Sequence, residues 1–399
     1  MPTLMDATMV AGATDTTDLL SNRIPIDMSP DISRKNENNS PFTTILDMQN
    51  KFQTCTTKKF EWMERDDYAN TVTLTGAFTA AGSTLTIAND YTRLRLGDML
   101  YHPGTSQAFR VTTSGTMDAS VDVTPNFPTG SGGSNIANGE ALYIMSNAQA
   151  EWSEVRQLMS SSPAAKYNYI QTIRNPFGVS GRLKDTALIG PSEMEYLDQD
   201  EYRAFSRERE LALMFGVRGL QSSTTITSSG GIYYWLTQSG SGAVNHDMTG
   251  KVLSLSQFNG FLADAMLLGS SEKMLVTGRN VMTAINGFAY DKLQVNMDLS
   301  EWGLNIMNYS SPWGMVRVVY HKLFTDIGMD DEAWVIDMGE LTRRGLDSER
   351  STPHLNTGPT GTGIQDPGVD GVIYEYAVEE GLQLTHADRH ARIYNVAAA

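Results

Sequence analysis

The residues best suited to chemistry by type and spacing are His386 and His390, set four apart in the run HADRH with Asp388 between them. On one face of a helix that spacing can hold zinc. A metalloprotease motif, however, needs glutamate directly after the first histidine, and Ala387 stands there. The flanking LQLT and ARIYNV runs read as strands, so both histidines are expected at a solvated turn. Asp330, Asp331 and Glu332 form an acidic run without the alternating ligands and central glycine of a calcium loop, and a hydrated loop is expected. The phosphate-loop pattern fails, because Val252 follows Gly250-Lys251 and Asn245 occupies the place of the leading glycine. The nucleophile-elbow pattern fails as well, since Gly178-Val179-Ser180-Gly181-Arg182 has no glycine two residues after the serine. Histidines 102, 246, 321, 354, 386 and 390 fall in no triad arrangement. The 46 Asp and Glu residues offer many carboxylate pairs, but none is singled out for glycoside hydrolysis. No catalytic residue, cofactor or metal is therefore expected, and the chain does not read as an enzyme.

Bulk composition narrows the class further. The net charge is −16, which repels phosphate and argues against DNA condensation by charge neutralisation. One cysteine, Cys55, rules out an intramolecular disulfide and a cysteine metal site, and it reads as a small apolar filler. The first twenty residues lack a basic-then-apolar pattern, so no secretion signal is expected. No apolar run approaches the roughly 20 residues that a membrane span needs. With 40% hydrophobic residues, the chain can bury a real core.

The elements that would position any site can be read from periodicity and turn signals. Residues 1–50 are polar, with turn formers at Asn36, Asn38, Asn39, Ser40 and Pro41, and read as an arm that cannot order alone. Pro41, Phe42, Ile45 and Leu46 give it a small apolar anchor. Lys58–Arg65 reads as a strand with Phe60 and Trp62 on one face. Six β-rich runs follow at Asn70–Gly76, Ser83–Ala88, Leu94–His102, Ala108–Gly115, Ser120–Phe127 and Ala141–Met145, and predict a small inserted barrel or sandwich. A capping box at Ser192 and Glu195 opens a charged helix over Glu193–Phe215, stopped by Gly216 and about 34 Å long. Ser254 and Gln257 open a second helix, with Leu255, Phe258, Leu262, Ala265 and Leu268 on its apolar face and Gly269 at its end. Strands are expected at Lys273–Thr277, Met315–Tyr320, Ala333–Asp337, Val372–Val378 and Leu382–Leu384, with a helix at Arg279–Phe288 and a loop at Ser351–Val369. The tryptophans at 62, 152, 235, 302, 313 and 334 lie in apolar-rich segments and read as core or interface.

This order of elements resembles the major capsid proteins of tailed bacteriophages with the Hong Kong 97-type fold. The segments that carry the resemblance are KKFEWMERD (58–66), AEWSEVRQL (150–158), YNYIQTIRNPFGVSG (167–181), the charged helix after Pro191, SSPWGMVRVVYHKLF (310–324), DDEAWVIDMGEL (330–341) and YEYAVEEGLQLTHADRHARIYNV (374–396). It is similar to a subfamily with a β-rich insertion at this point, and covers most of the chain from about Thr57 to Val396. The resemblance implies an α+β fold divided into an N-terminal arm (1–50), an extended loop (51–69 and 147–190), an inserted β-domain (70–146), a peripheral domain (191–230 and 370–399) with the spine helix 193–215, and an axial domain (231–369). It further implies a homo-oligomer of hexameric and pentameric capsomers in an icosahedral shell around double-stranded DNA, located in the virion, with scaffold and decoration proteins as further partners and no membrane. Inter-subunit contacts are then expected at Phe42 and Ile45 in the arm. In and around the extended loop they fall at Phe60, Trp62, Trp152, Tyr167, Tyr169 and Arg174, and on the spine helix at Arg203 and Arg207. The alternatives are a cellular nanocompartment shell of the same fold, a tail or baseplate structural protein with a carbohydrate-binding β-domain, and an acidic glycosidase.

Overall fold

The structure is a computed structural model that describes residues 40–49, 51–65, 70–87, 90–114, 117–130, 133–156, 158, 162–186, 192–288, 306–346, 350, 352–358, 364 and 370–398. The arm before Ser40, Pro191, Trp302 and most of the expected loop at 351–369 lie outside the described residues. In chain order the elements are α1 (Pro41–Met48), β1 (Phe52–Thr54), β2 (Lys59–Glu64), β3 (Thr71–Thr73), β4 (Thr84–Thr86), β5 (Asp98–His102), β6 (Gln107–Val111), β7 (Ser120–Thr124), β8 (Ala141–Asn147), β9 (Ala164–Tyr169) and β10 (Gln171–Ser180). They continue with α2 (Gly181–Lys184), α3 (Glu193–Phe215), β11 (Gly219–Gln221), β12 (Ile226–Ser228), α4 (Ile232–Thr237), β13 (Val244–Asp247), α5 (Leu255–Ala265), β14 (Glu272–Thr277) and α6 (Arg279–Phe288). The last are β15 (Ile306–Ser311), β16 (Gly314–Tyr320), α7 (Lys322–Asp326), β17 (Ala333–Ile336), β18 (Leu341–Gly345), β19 (His354–Asn356), β20 (Gly371–Leu384) and β21 (Ala391–Tyr394). The chain divides into two compact units, one of Met1–Glu61 with Tyr167–Ala399 and one of Trp62–Lys166.

In the smaller unit each of the six expected β runs overlaps one strand, β3 to β8, with β6 starting one residue earlier and β8 ending two residues later than expected. They form one sheet in the order β3-β8-β5-β6-β7-β4. Leu74, just past β3, bridges Ile87, just past β4, so the last strand of that order meets the first. Alternation explains why these residues make strands: Val121 and Val123 are buried while Ser120 and Asp122 are exposed, and Leu100 and Phe109 are paired inward. The buried set, which includes Val72, Leu85, Leu100, Phe109, Val121 and Leu142, is a core of its own.

The larger unit holds two main sheets. The first runs β1-β18-β20-β10, with β19 also on β20, and its backbone is a ten-pair antiparallel ladder from Gln171↔Glu380 to Ser180↔Gly371. The second runs β13-β21-β17-β14-β16-β15. Its core joins Leu275, Val316, Val318, Val335 and Ile393 to Phe258, Phe261 and Leu262 of α5 and to Val281 and Ile285 of α6. β14 is buried along nearly its whole length, as a central strand covered on both faces must be. The division expected at residue 370 is not the one the sheets follow. β20 lies in the first sheet and β21 in the second, while β18 joins β20. The reason is local: His386 adopts a left-handed conformation and the turn at Ala387–Arg389 redirects the chain.

The spine helix α3 occupies Glu193–Phe215, as its end signals imply. Ser192 accepts the Glu195 backbone N–H at 3.3 Å. Gly216 stops it by close approach, without a left-handed turn. Its backbone is extended, and a Cβ there would lie 2.3 Å from the Ala212 carbonyl and 2.4 Å from that of Ser229. Gly216→Ala is therefore expected to destabilise the subunit by about 1–3 kcal/mol, read as a lowered urea midpoint.

Helix α5 shows both halves of its capping box, but ends at Ala265, before Gly269. Lys273 Nζ caps this end, donating to the carbonyls of Ala265 (2.7 Å) and Leu268 (2.7 Å) and of Arg389 (2.5 Å). Two other expectations are corrected. The strands expected at 372–378 and 382–384 are one, because Glu380 is buried against Arg209 and a Cβ on Gly381 would press on the Tyr169 carbonyl at 2.6 Å. The acidic run at 330–332 is not a hydrated loop throughout: Glu332 is buried, accepts from Trp334 Nε1 at 3.1 Å and pairs with Arg392.

Candidate assembly surfaces and the arm clamp

Two features stand out by chemistry: a seat for α1 on the spine helix, and a fastened segment after β8 that shows apolar side chains to solvent. The seat is built from two consecutive residues of α3. Arg209 and Glu210 are buried, on the helix face that also buries Phe205, Leu213 and Met214. Glu210 is fully buried, and its carboxylate accepts the backbone N–H groups of Phe42 and Thr43, each at 2.7 Å. These are orphan donors of the first turn of α1, whose own cap residue, Ser40, supplies no side-chain cap. The carboxylate thus meets the positive end of the α1 dipole. His321, also buried, joins the oxygen that accepts the Phe42 N–H through Nε2 at 2.6 Å, while its Nδ1 accepts the Leu323 N–H at 3.2 Å. That second bond places the ring proton on Nε2.

At the other end of α1, Asp47 accepts from Arg209 Nη1 at 2.8 Å and Nη2 at 3.0 Å, and pairs with Arg343. Arg209 also reaches Glu380, with Nε at 2.5 Å from one oxygen and Nη2 at 3.0 Å from the other. Burial works against the Arg209 charge, but Glu380 and Asp47 outweigh it and hold the guanidinium protonated. Such planar, two-pronged pairing with carboxylates is what guanidinium geometry favours.

The fastened segment lies within the smaller unit. Ala148 N–H donates to the Gly97 carbonyl at 2.8 Å, Gln149 Nε2 donates to the Leu96 carbonyl at 2.8 Å, and Arg156 pairs with the buried Asp98. Between and beyond these ties Trp152, Val155 and Leu158 are 100%, 94% and 90% exposed. Trp152 is also left-handed, at φ 67°, which is costly for a bulky side chain.

The other expected contact residues fall in several places. Phe42 and Ile45 are buried where α1 docks, and Phe60 and Trp62 are the inward face of β2, so these four side chains pack inside their own chain. Tyr167 and Tyr169 are half-buried and meet edge to face at 5.8 Å, with the Arg218 guanidinium 4.1 Å and the Lys59 ammonium 4.4 Å from the Tyr167 ring. Arg174 makes a forked pair with Glu375, at 3.0 Å from Nε and 2.6 Å from Nη2. Burial alone would raise the Glu375 carboxyl; the Arg174 bonds outweigh it and lower the pKa. Arg203 is exposed on α3, and Arg207 pairs with Asp326 at 3.0 Å. Sequence reading missed Arg209, Glu210, His321 and Arg343. The available signal was the spacing of Phe205, Arg209 and Leu213, four residues apart along one helix stripe.

His386 and His390 make no metal site among the described residues, where no cluster of three or more candidate ligands occurs. His390 is fully buried, and its Nδ1 accepts the Asp337 N–H at 3.1 Å.

Comparison with known proteins agrees with this architecture. No curated protein matches the sequence. Among solved structures, the chain is similar to the capsid asymmetric unit of cyanophage A-1(L), at a TM-score of 0.52 and 11% identity, covering 94% of this chain and 98% of that one. It is also similar to the capsid of a native GTA particle, at a TM-score of 0.51 and 10% identity, covering 98% and 100%. Residues 9–397 match the family described as SU10 major capsid protein. A spine helix on a long antiparallel ladder, a second sheet under two helices, and a family match along nearly the whole chain place it together: the chain belongs to the SU10 major capsid protein family, virion shell subunits of tailed phages with the Hong Kong 97-type fold.

Proposed function

We propose that copies of this subunit form hexameric and pentameric capsomers of a closed icosahedral head around double-stranded DNA, and that the segment after β8 is one of the clasps between copies. The observation that carries this reading is the exposure of Trp152 and Val155 between the ties made by Gln149 and Arg156, with Leu158 exposed just beyond them. A subunit in solution gains nothing from displaying three large apolar side chains on a fastened strip, whereas burial between copies returns about 25 cal/mol per Å² of apolar surface. Many weak contacts then add up through repetition around closed rings.

Supporting observations assign the remaining parts. The sheet of β3 to β8, whose last strand meets its first at Leu74 and Ile87, is read as a small inserted barrel with its own core. The first sheet with α3 is read as the peripheral part and the second sheet as the axial part. The arm before α1 is read as a second clasp, reaching a neighbouring subunit. The net charge of −16 argues that DNA is enclosed without being neutralised by the shell. Scaffold and decoration proteins are further partners on this reading.

Negative-stain microscopy of the protein expressed alone tests it, and hollow closed or polymorphic shells are expected. A Trp152→Asp, Val155→Asp double variant should remain a folded, soluble subunit with shell yield reduced at least tenfold. Shells at the unaltered yield would remove the segment from the list of clasps, and a subunit monomeric at every concentration would defeat the assembly reading.

A further inference from the structure

Helix α1 is too short to persist by itself. Eight residues with no side-chain cap fall below the length at which isolated helices hold in water, so α1 exists docked or not as a helix at all. Its seat is not one surface. The N-terminal end rests on Glu210, which is bonded in turn to His321, and His321 leads directly from β16 of the second sheet into α7. The C-terminal end rests on Arg209 and Arg343, which share Glu380. Arg343 and Glu380 belong to β18 and β20 of the first sheet. The linker after α1 continues the attachment. Lys51 Nζ donates to the carbonyls of Met338 at 3.2 Å and Gly339 at 2.7 Å, and the Arg343 N–H donates to the Lys51 carbonyl at 2.9 Å.

We infer that α1 is a latch that holds the two sheets of the larger unit together, with the docked arm and the rigid seam between the sheets being one and the same state. The physical reason is the charge balance that docking completes. With α1 in place, Glu210 has three donors, and two arginines face two carboxylates, Asp47 and Glu380. With α1 withdrawn, Glu210 keeps only His321 among the described residues, and the two arginines face Glu380 alone among the described carboxylates. A buried carboxylate short of donors and a buried surplus of positive charge are both resolved by admitting water. These groups lie where α3, β18, β20 and the start of α7 come together, so water admitted to them parts these elements. Loss of the arm should therefore loosen both sheets at this line, including the parts that α1 itself does not touch.

The test is hydrogen–deuterium exchange on the unassembled full-length subunit, which keeps it independent of the shell reading. Each variant is read at the opposite end of α1. In Asp47→Asn, the altered group is on the Arg209 side, and the expected result is at least tenfold faster exchange in 41–48 and also in α7, including the Leu323 amide. In Glu210→Gln, the altered group is on the His321 side, and the expected result is the same acceleration in 41–48 and also in β18. Strands β3 to β8 should be unchanged in both. Arg203→Ala, which alters an exposed side chain on the same helix, should leave all of these segments unchanged. Faster exchange confined to 41–48 would make α1 a mere appendage and overturn the inference, as would exchange unaltered in 41–48. Should Glu210→Gln fail to fold, the Asp47→Asn result at α7 decides by itself, because Asp47 sits at the partly exposed end and makes no bond to His321 or α7.

Discussion

Arg209→Ala is expected to cost the subunit about 3–5 kcal/mol, enough to remove much of the stability of an ordinary domain. Arg209 is buried with Glu380, and their side chains are 6% and 2% exposed. Among the described residues, cutting the arginine back leaves Glu380 with only the longer contact to Arg343 at 3.7 Å, and leaves Asp47 with Arg343 alone. The penalty is that of an uncompensated buried carboxylate and exceeds any favourable worth of the pair itself. Replacing both partners, as Arg209→Met with Glu380→Leu, removes the stranded charge as well and should recover most of the loss. Urea unfolding of unassembled subunits, comparing the single and double variants, checks this. A double variant as unstable as Arg209→Ala would show that the network is needed for more than charge compensation.

The second large effect is one of acidity. His390 is fully buried, and burial with Lys273 nearby depresses its pKa to about 4. In the unfolded chain a histidine titrates near 6.5, so the unfolded state takes up a proton first as the pH falls. The stabilising contribution of neutral His390 is thus complete above about pH 6.5 and is lost as the pH falls through 6.5 towards 4. The full span is worth about 3 kcal/mol, of which about 2 kcal/mol is gone by pH 5. His390→Gln keeps an acceptor for the Asp337 N–H and cannot titrate. The loss of stability between pH 7 and pH 5 should be smaller in that variant by about 2 kcal/mol. Equal losses in the two proteins would show that His390 does not carry the titration.

What could be read from the chain was what local chemistry determines. The spine helix was legible at both ends because Ser192 and Gly216 act on their immediate neighbours. The six strands of the smaller unit were legible because alternation and turn residues recur at short spacing. Helix α1 was not, since its cap comes from Glu210, which lies 168 residues away in sequence. The continuity of β20 was hidden for a related reason. Glu379 and Glu380 look like a break until Arg209 is placed beside them. Residue type also leaves burial open: Phe42, Ile45, Phe60 and Trp62 have the character of interface anchors, and their own chain buries them. Trp152, of the same type, is fully exposed, and only geometry separates the two cases.

The smaller unit is entered through β2 and left through β9, and these two strands pair with each other as a two-stranded sheet. Its ends therefore start side by side, and any folded sequence whose termini lie close together meets the same spacing with little closure cost. Such a stretch is a natural cassette. Recombination can trade it between lineages, or a designer can exchange it for a foreign module, while the ladder of β10 and β20 and the sheet beneath α5 and α6 keep their registers.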